Sequence, residues 1–465
     1  MRHSYKIFFV CVTTFVLLLA FIPRNALATS KAEYATEVRI KLLPADSPLV
    51  SNSGNYAWVN LDDGSTISTT PSYRVSVKEN KVVLEEGKTS YSSVKGFALE
   101  EISPSSTNSF TIDQIQTARG NVATTYRGSL LVQPKNGKLL LINILEMEDY
   151  LKGVVPSEMP ASWEMEALKA QAVAARSYAY GQLKSSAGKG YLEMTVASQV
   201  YGGKTAEHPR GNEAVNATKN VYALYDGQPI TAYFHASSGG YTENSEDVWT
   251  YPVPYIRAVP DPYDNSSGGN YNYDWQAIGT SSAISNALKL TDDQTLLNIK
   301  VTQRSTGGSA QQVTATLYND QKKSFETKEV VPTLASNPDR LRNTLGLSLK
   351  STKFSISTDD SIQVKTVNGT VESTSYLKGL SIRGADGSDT PILDDTLSVR
   401  TSKGQTYLAT SPDQFYFNGN GWGHGLGMSQ WGARGMASQG KTYEEILKYY
   451  FTGIEVKVWT PKEIF

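Results

Sequence analysis

Glu158 stands in the stretch Gly153-Val-Val-Pro-Ser-Glu-Met-Pro160, a lone carboxyl between Pro156 and Pro160 and just ahead of an alanine-rich run. Its apolar neighbours Val154, Val155, Met159 and Trp163 can raise its pKa by desolvation, which a general acid needs if it is to hold a proton near the working pH. It reads as the acid of a glycan-cleaving site. Lys169 and Arg176 follow at a spacing that puts both on one side of a helix, two turns apart. They either hold an anionic sugar substituent or form a solvated charged face. His235 and Ser237 lie in Thr231-Ala-Tyr-Phe-His-Ala-Ser-Ser-Gly-Gly240. A lone strand histidine is more often a hydrogen-bonded core residue, while paired glycines beside polar side chains also permit close backbone approach to a ligand. Trp422, His424 and Gln430 belong to Gly419-Asn-Gly-Trp-Gly-His-Gly-Leu-Gly-Met-Ser-Gln-Trp431. Glycine at alternate positions from 419 to 427 is costly in a strand or helix, so this stretch predicts a loop shaped for a purpose.

These side chains need elements to hold them. Pro160 cannot continue a preceding helix, so Glu158 is expected in a turn of its own, after a short helix or turn at Glu148-Asp-Tyr-Leu151. Ser162 is a suitable N-cap for a helix from Trp163 to about Leu183, rich in strong helix formers. On it Leu168, Ala172, Ala175 and Ala179 form a narrow stripe of small residues that would let another element pack closely. Upstream, Tyr126–Val132 and Lys138–Leu145 are strand-like and joined through Asn136-Gly137, a strong hairpin signal. Val38–Leu43, Tyr73–Val77 and Lys81–Leu84 predict further short strands between glycine turns. Beyond about residue 261, strand-like runs at Leu297–Gln303 and Gln312–Tyr318, with helical pieces at Ser281–Leu290 and Pro338–Leu345, suggest a β-rich second lobe carrying a surface insertion. Gln430–Ser438 and Tyr443–Tyr450, the latter capped by Thr442, predict closing helices.

Composition sets the outer bounds. At 465 residues the chain exceeds the usual size of one core. The 44 Lys plus Arg balance 45 Asp plus Glu, a net charge of -1, which leaves no electrostatic case for nucleic acid or an anionic membrane as partner. Arg2, His3 and Lys6 precede an apolar run from Ile7 to Ile22, followed by Pro23 and Ala26-Leu-Ala28. That is the layout of a secretory signal over residues 1–28, its apolar run short of the ~20 residues that span a bilayer, with an uncleaved anchor as the alternative. Cys11, the single cysteine, lies inside that run, so neither a disulfide nor a cysteine-containing metal site is expected in the mature chain.

Glu148-Asp-Tyr-Leu-Lys-Gly-Val-Val-Pro-Ser-Glu-Met-Pro160, Leu168-Lys-Ala-Gln-Ala-Val-Ala-Ala-Arg-Ser-Tyr178, Tyr233-Phe-His-Ala-Ser-Ser-Gly-Gly240, residues 340–353 and Gly421-Trp-Gly-His-Gly-Leu-Gly-Met-Ser-Gln-Trp-Gly432 together resemble the SpoIID/LytB family. It comprises stage II sporulation protein D peptidoglycan lytic transglycosylases and amidase enhancers. The resemblance runs in order from about Val38 to Thr452. It implies an α+β fold: a SpoIID-like catalytic core over 115–260, completed by 417–465, with a long helix after the catalytic turn. A β-rich region over 29–114 and a β-rich second lobe over 261–416 flank that core. It implies Glu158 as the catalytic glutamate and Lys169 and Arg176 as basic cleft positions, assigned to a carboxylate such as the lactyl group of muramic acid. His235, Ser237, Trp422, His424 and Gln430 stand as further substrate-binding candidates. Some family members carry zinc through Cys and His; without those cysteines no metal or other cofactor is expected. The implied activity is cleavage of cell-wall glycan strands, including strands freed of peptide, outside the cytoplasmic membrane of a bacterium. The alternative is a non-catalytic peptidoglycan-binding enhancer with a wall amidase as partner.

Overall fold

The computed structural model describes residues 34–460 except 69–71, 119, 186–189, 250, 331–338 and 360. The expected signal segment and Cys11 lie outside the described residues. The chain divides into two compact units, one of residues 41–145 with the N-terminal end, the other of residues 36–40 and 146–465. The strands over 126–145, grouped with the catalytic core on sequence, thus fall with the N-terminal β-rich region. The fold is α+β, as expected.

The first unit is β-structure. The strands of this unit in one sheet follow the order 138–146, 129–135, 97–101, 56–60, 66–68; another sheet runs 120–126, 109–117, 49–53, 72–78, 81–86, 89–93. The hairpin at Asn136-Gly137 forms as its sequence requires: both residues take positive φ (53° and 72°), and Lys135 pairs with Lys138. Alternation places Tyr73 and Val75 inward from the strand Ser72–Lys78, toward a core that includes fully buried Trp58 and Phe110.

The second unit holds the helices α1 (Met147–Glu158), α2 (Met165–Ser185), α3 (Pro209–Ala217), α4 (Ser245–Val248), α5 (Ser281–Ala287), α6 (Asp339–Thr344), α7 (Gln430–Ser438) and α8 (Tyr443–Tyr450). α2 is buried on almost every side: Leu168, Ala172, Ala175 and Ala179 are fully enclosed, and so are Ala170, Val173 and Ala174. Its alanines let α1, α3, α7 and α8 approach closely on different sides. The predicted cap at Ser162 is not used. Trp163 instead closes a turn by donating its N–H to Pro160 O at 3.0 Å, and α2 begins two residues later than expected. α7 matches its predicted span. α8 carries a full capping box, with the Thr442 hydroxyl on Glu445 N and the Glu445 carboxylate on Thr442 N.

A β-rich lobe within this unit has its own apolar core, in which Ile284, Leu296, Val313, Leu341, Phe354 and Phe417 are buried. Strand Gln414–Asn420 is central to one of its sheets, between Asp274–Thr280 and Phe354–Thr358. The stretch expected as a loop from Gly419 is therefore still strand at Gly419 and Asn420. Gly419 is tolerated in mid-strand because the Trp275 indole covers it, so close that a Cβ there would lie 2.1 Å from the ring.

Candidate active site

Glu158 is not in an isolated turn. It is the last residue of α1, and Pro156 lies inside that helix. The helix forms because Met147, Tyr150, Leu151, Val154 and Val155 recur at helical spacing and are all buried, with Glu148 and Asp149 favouring its first turn. Proline removes one backbone donor near the end, where the ladder is already closing. Ser157 Oγ donates to Gly153 O at 2.8 Å, and Met159 N to Val155 O at 2.9 Å, before Pro160 stops the helix.

The carboxyl is held from two sides. Val200 N donates to Glu158 Oε1 at 2.7 Å, and Gln430 Nε2 approaches Oε2 at 3.5 Å while also facing Gln171 Oε1 at 3.4 Å. Burial is the largest influence on Glu158 and pushes its pKa above the usual carboxylate range, against the two donors, which lower it. The neighbours expected to desolvate it are themselves buried: Val154, Val155 and Met159 completely, Trp163 almost so. The C-terminal end of a helix is also an unfavourable place for a negative charge, which acts in the same direction.

Gly153 makes the Val200 contact possible. A Cβ at 153 would lie 2.7 Å from the Tyr201 ring and 2.9 Å from Gly203 O, and Gly202 N donates to Gly153 O at 3.1 Å. The segment over 200–203 therefore docks directly on α1. Gly153→Ala is expected to cost about 1–3 kcal/mol through overpacking, measured as a lower Tm.

An open cleft of about 440 Å³ lies over Glu158. Pro160, Trp163, Tyr271, Asn272, Trp422, Gln430 and Trp431 line it together with the acid. Trp163 and Trp431 rings meet at 4.8 Å and 56°, giving an apolar wall of the kind that stacks on sugar faces. Among the described residues lining the cleft, Glu158 is the one carboxylate.

The glycine-rich loop reaches this position by pairing with the Tyr233–Glu243 segment. Ser237 and Trp422 exchange backbone hydrogen bonds (3.1 and 2.8 Å), Glu243 N donates to Gly425 O at 2.8 Å, and Phe234–His235 runs parallel to Met428–Ser429. Gly421 has φ 77°, and a Cβ there would lie 2.6 Å from Ser237 O, so glycine is required both for conformation and for closeness. Asp264 fixes the junction. Its Oδ1 accepts from Ser429 Oγ at 2.6 Å and Ser238 N at 3.0 Å; its Oδ2 accepts from Ser237 Oγ at 2.6 Å and Gly239 N at 2.9 Å. Ser429 also caps α7 through Gly432 N, and α7 carries Gln430 and Trp431 into the cleft.

Of the expected site residues, Glu158, Trp422 and Gln430 converge. The others do not line the cleft. Ser237 spends its hydroxyl on Asp264. His235 is buried with its ring facing Leu426 O at 3.1 Å, and burial holds its pKa down at about 4. His424 accepts from Leu426 N at 3.0 Å, with burial pushing its pKa down to about 3. Both histidines are neutral at ordinary pH and brace the loop. Lys169 Nζ is paired with Glu166 at 2.7 Å. Arg176 is fully buried, bidentate to Glu148 at 2.9 and 2.7 Å, and donates to Val221 O at 3.0 Å. Neither cation reaches the cleft, so the expected basic cleft pair is instead a helix-surface pair and a core pair.

Sequence reasoning missed Tyr271, Asn272 and the cation beside them, Lys350, whose Nζ lies 5.9 Å from the Tyr271 ring and 5.5 Å from the Trp422 ring. Tyr271 and Asn272 carry no local mark, and Lys350, though inside the 340–353 stretch of the resemblance, sits with them in segments read as belonging to the second lobe. No helix among the described residues is long and apolar enough to cross a membrane.

Residues 135–225 match the family model described as SpoIID, Stage II sporulation protein. An uncharacterized protein of Brachyspira hyodysenteriae is 30% identical over 423 residues, covering 90% of this chain and 92% of that protein. The amidase enhancer of Bacillus subtilis is 32% identical over 315 residues, 65% of this chain but 39% of that longer protein. Stage II sporulation protein D of Bacillus subtilis is 28% identical over 332 residues, 67% of this chain and 74% of that protein.

Proposed function

The chain belongs to the SpoIID family, and from that premise we propose that it is a lytic transglycosylase cutting the glycan strands of peptidoglycan at the bacterial cell wall. The observation that carries this reading is a solitary glutamate, its pKa raised by burial, at the base of an aromatic-walled cleft. Breaking a β-1,4 glycosidic bond requires a carboxylic acid that protonates the leaving oxygen as an oxocarbenium-like state develops. Glu158, its pKa raised by burial, supplies that proton. The carboxylate left behind then takes the proton of the sugar's own 6-hydroxyl as that oxygen attacks the anomeric carbon, closing a 1,6-anhydro ring. One carboxyl serves as acid and then as base, and no second carboxylate is needed. Val200 N and Gln430 Nε2 face the oxygens that become charged between the two steps. Trp163, Trp431 and Trp422 supply faces against which sugar rings lie.

The test is to incubate the protein with wall glycan, with and without stem peptides, and search the products by mass spectrometry. Anhydro-terminated fragments support the reading; reducing-end sugars or intact strands refute it.

The pH dependence follows from the sign of the Glu158 shift. The rate is full while the acid is protonated and falls as pH rises through its elevated pKa. Gln430 is one of the groups that lower that pKa, so Gln430→Leu is expected to move the falling limb of kcat/KM to higher pH. A limb that stays in place would separate Gln430 from the acid.

A second reading has one observation in its favour, the relative named an amidase enhancer. In that reading the cleft holds glycan while a separate wall amidase acts, and Glu158→Gln would stimulate that amidase as well as the unaltered protein does.

A further inference from the structure

The cleft needs something to recognise the charge of its substrate, and neither Lys169 nor Arg176 is placed to do so. Two other cations flank its aromatic walls. The Arg434 guanidinium lies 5.3 Å from the Trp163 ring and 4.9 Å from the Trp431 ring, but Glu164 stands 3.6 Å from it. Lys350 differs. Its Nζ sits between the faces of Tyr271 and Trp422 and donates to Asn272 Oδ1 at 3.2 Å and toward Tyr271 O at 3.4 Å. Tyr271, Asn272 and Trp422 all line the cleft. Both hydrogen-bond partners of this ammonium among the described residues are neutral oxygens.

Two neutral oxygens and two ring faces hold a cation in place without cancelling its charge. Nor does the cleft interior cancel it, since Glu158, its one carboxylate among the described lining residues, is the group that must hold a proton. Lys350 also reaches the rim from a stretch packed on the loop itself, because Gly423 N donates to Lys350 O at 3.0 Å. Trp422 and the ammonium therefore move as one piece.

We propose that Lys350 is the specificity residue of the cleft, binding a carboxylate substituent on a saccharide that lies in the cleft against Trp422. The inference rests on the glycan reading given above. In a peptidoglycan strand such a group is the free lactyl carboxylate of a muramic acid residue that carries no peptide. Where a peptide is attached, that carboxyl is an amide, uncharged and branched. The ammonium provides a charge-assisted hydrogen bond to the first form and none of comparable strength to the second. One lysine then suffices to favour bare strands over substituted ones.

The test is equilibrium binding to peptide-free glycan strands, followed by tryptophan fluorescence, on the full protein carrying Glu158→Gln to prevent cleavage. One arm uses strands with free carboxylates, the other the same strands with the carboxylates chemically reduced to alcohols. Carboxylate strands are expected to bind about tenfold more tightly, the size of one charge-assisted contact, with the ratio shrinking as salt is added. Lys350→Met is expected to bring that ratio to about one while leaving binding of the reduced strands unchanged, and Lys350→Arg to retain most of it. Selectivity that survives Lys350→Met overturns the assignment while leaving the glycan reading intact. A protein that binds neither strand removes the glycan reading and this inference with it.

Discussion

Glu158→Gln is expected to lower the rate of glycan cleavage by about 10²–10⁴-fold, the usual contribution of a positioned general acid. The substitution keeps the shape of the side chain and leaves an amide oxygen able to accept the Val200 N–H now 2.7 Å from Oε1. What it removes is the transferable proton. Glu158 is only partly buried, and its partners in the fold are one backbone amide and one glutamine, so the variant should fold and retain its Tm. A matched Tm with lost anhydro products assigns the acid. Wild-type product rates in the variant would refute the mechanism, and among the described residues lining the cleft no other side chain offers a replacement carboxyl.

Arg176 is expected to show the opposite pattern. Its guanidinium is wholly enclosed, Glu148 opposite it is 12% exposed, and its remaining donors are taken by Val221 O and, at 3.4 Å, Val215 O. Arg176→Met would leave a buried carboxylate and two carbonyls without their donor, a loss of about 3–5 kcal/mol. Urea unfolding should show it directly. Adding Glu148→Met should recover part of the loss, because removing both partners avoids a stranded charge. If instead stability holds and glycan affinity falls, Arg176 belongs to the cleft after all.

How much of this could be read beforehand depended on how local the cause was. The hairpin at Asn136-Gly137 and the cap at Thr442 are decided by a few adjacent residues, and both form as read. Glu158 itself was legible as a solitary carboxyl among apolar neighbours. Its setting was not, because a proline ordinarily marks a helix stop, whereas the buried face from Tyr150 to Val155 carries α1 through Pro156. Arg176 was misplaced for a related reason. Periodicity says which residues share a side of α2, but α2 is covered on nearly every side, and what covers Arg176 is Glu148 and the carbonyl of Val221. Ser237 and His235 were singled out as substrate-binding candidates, yet neither lines the cleft. Their polarity serves the junction between two distant motifs, through Asp264 and Leu426 respectively. Lys350 lay within the 340–353 stretch that carries the resemblance, but neither it nor Tyr271 could be tied to the cleft, since that relation exists only once the β-rich lobe has folded.

The same separation has a bearing on time. Glu158 and Gln430 face one another across 272 residues of sequence. A chain emerging from its N-terminal end exposes the acid long before α7 exists to stand opposite it, and the entire β-rich lobe must be made in between. Contacts of such long range form late, after the loop they close has been ordered. For most of its own synthesis the protein is thus a blade without an opposing edge. An unfinished or prematurely ended chain that stops short of the glycine-rich loop carries Glu158 but lacks Trp422, Gln430 and Trp431, so under the proposed mechanism the cleft is complete only with the last few dozen residues.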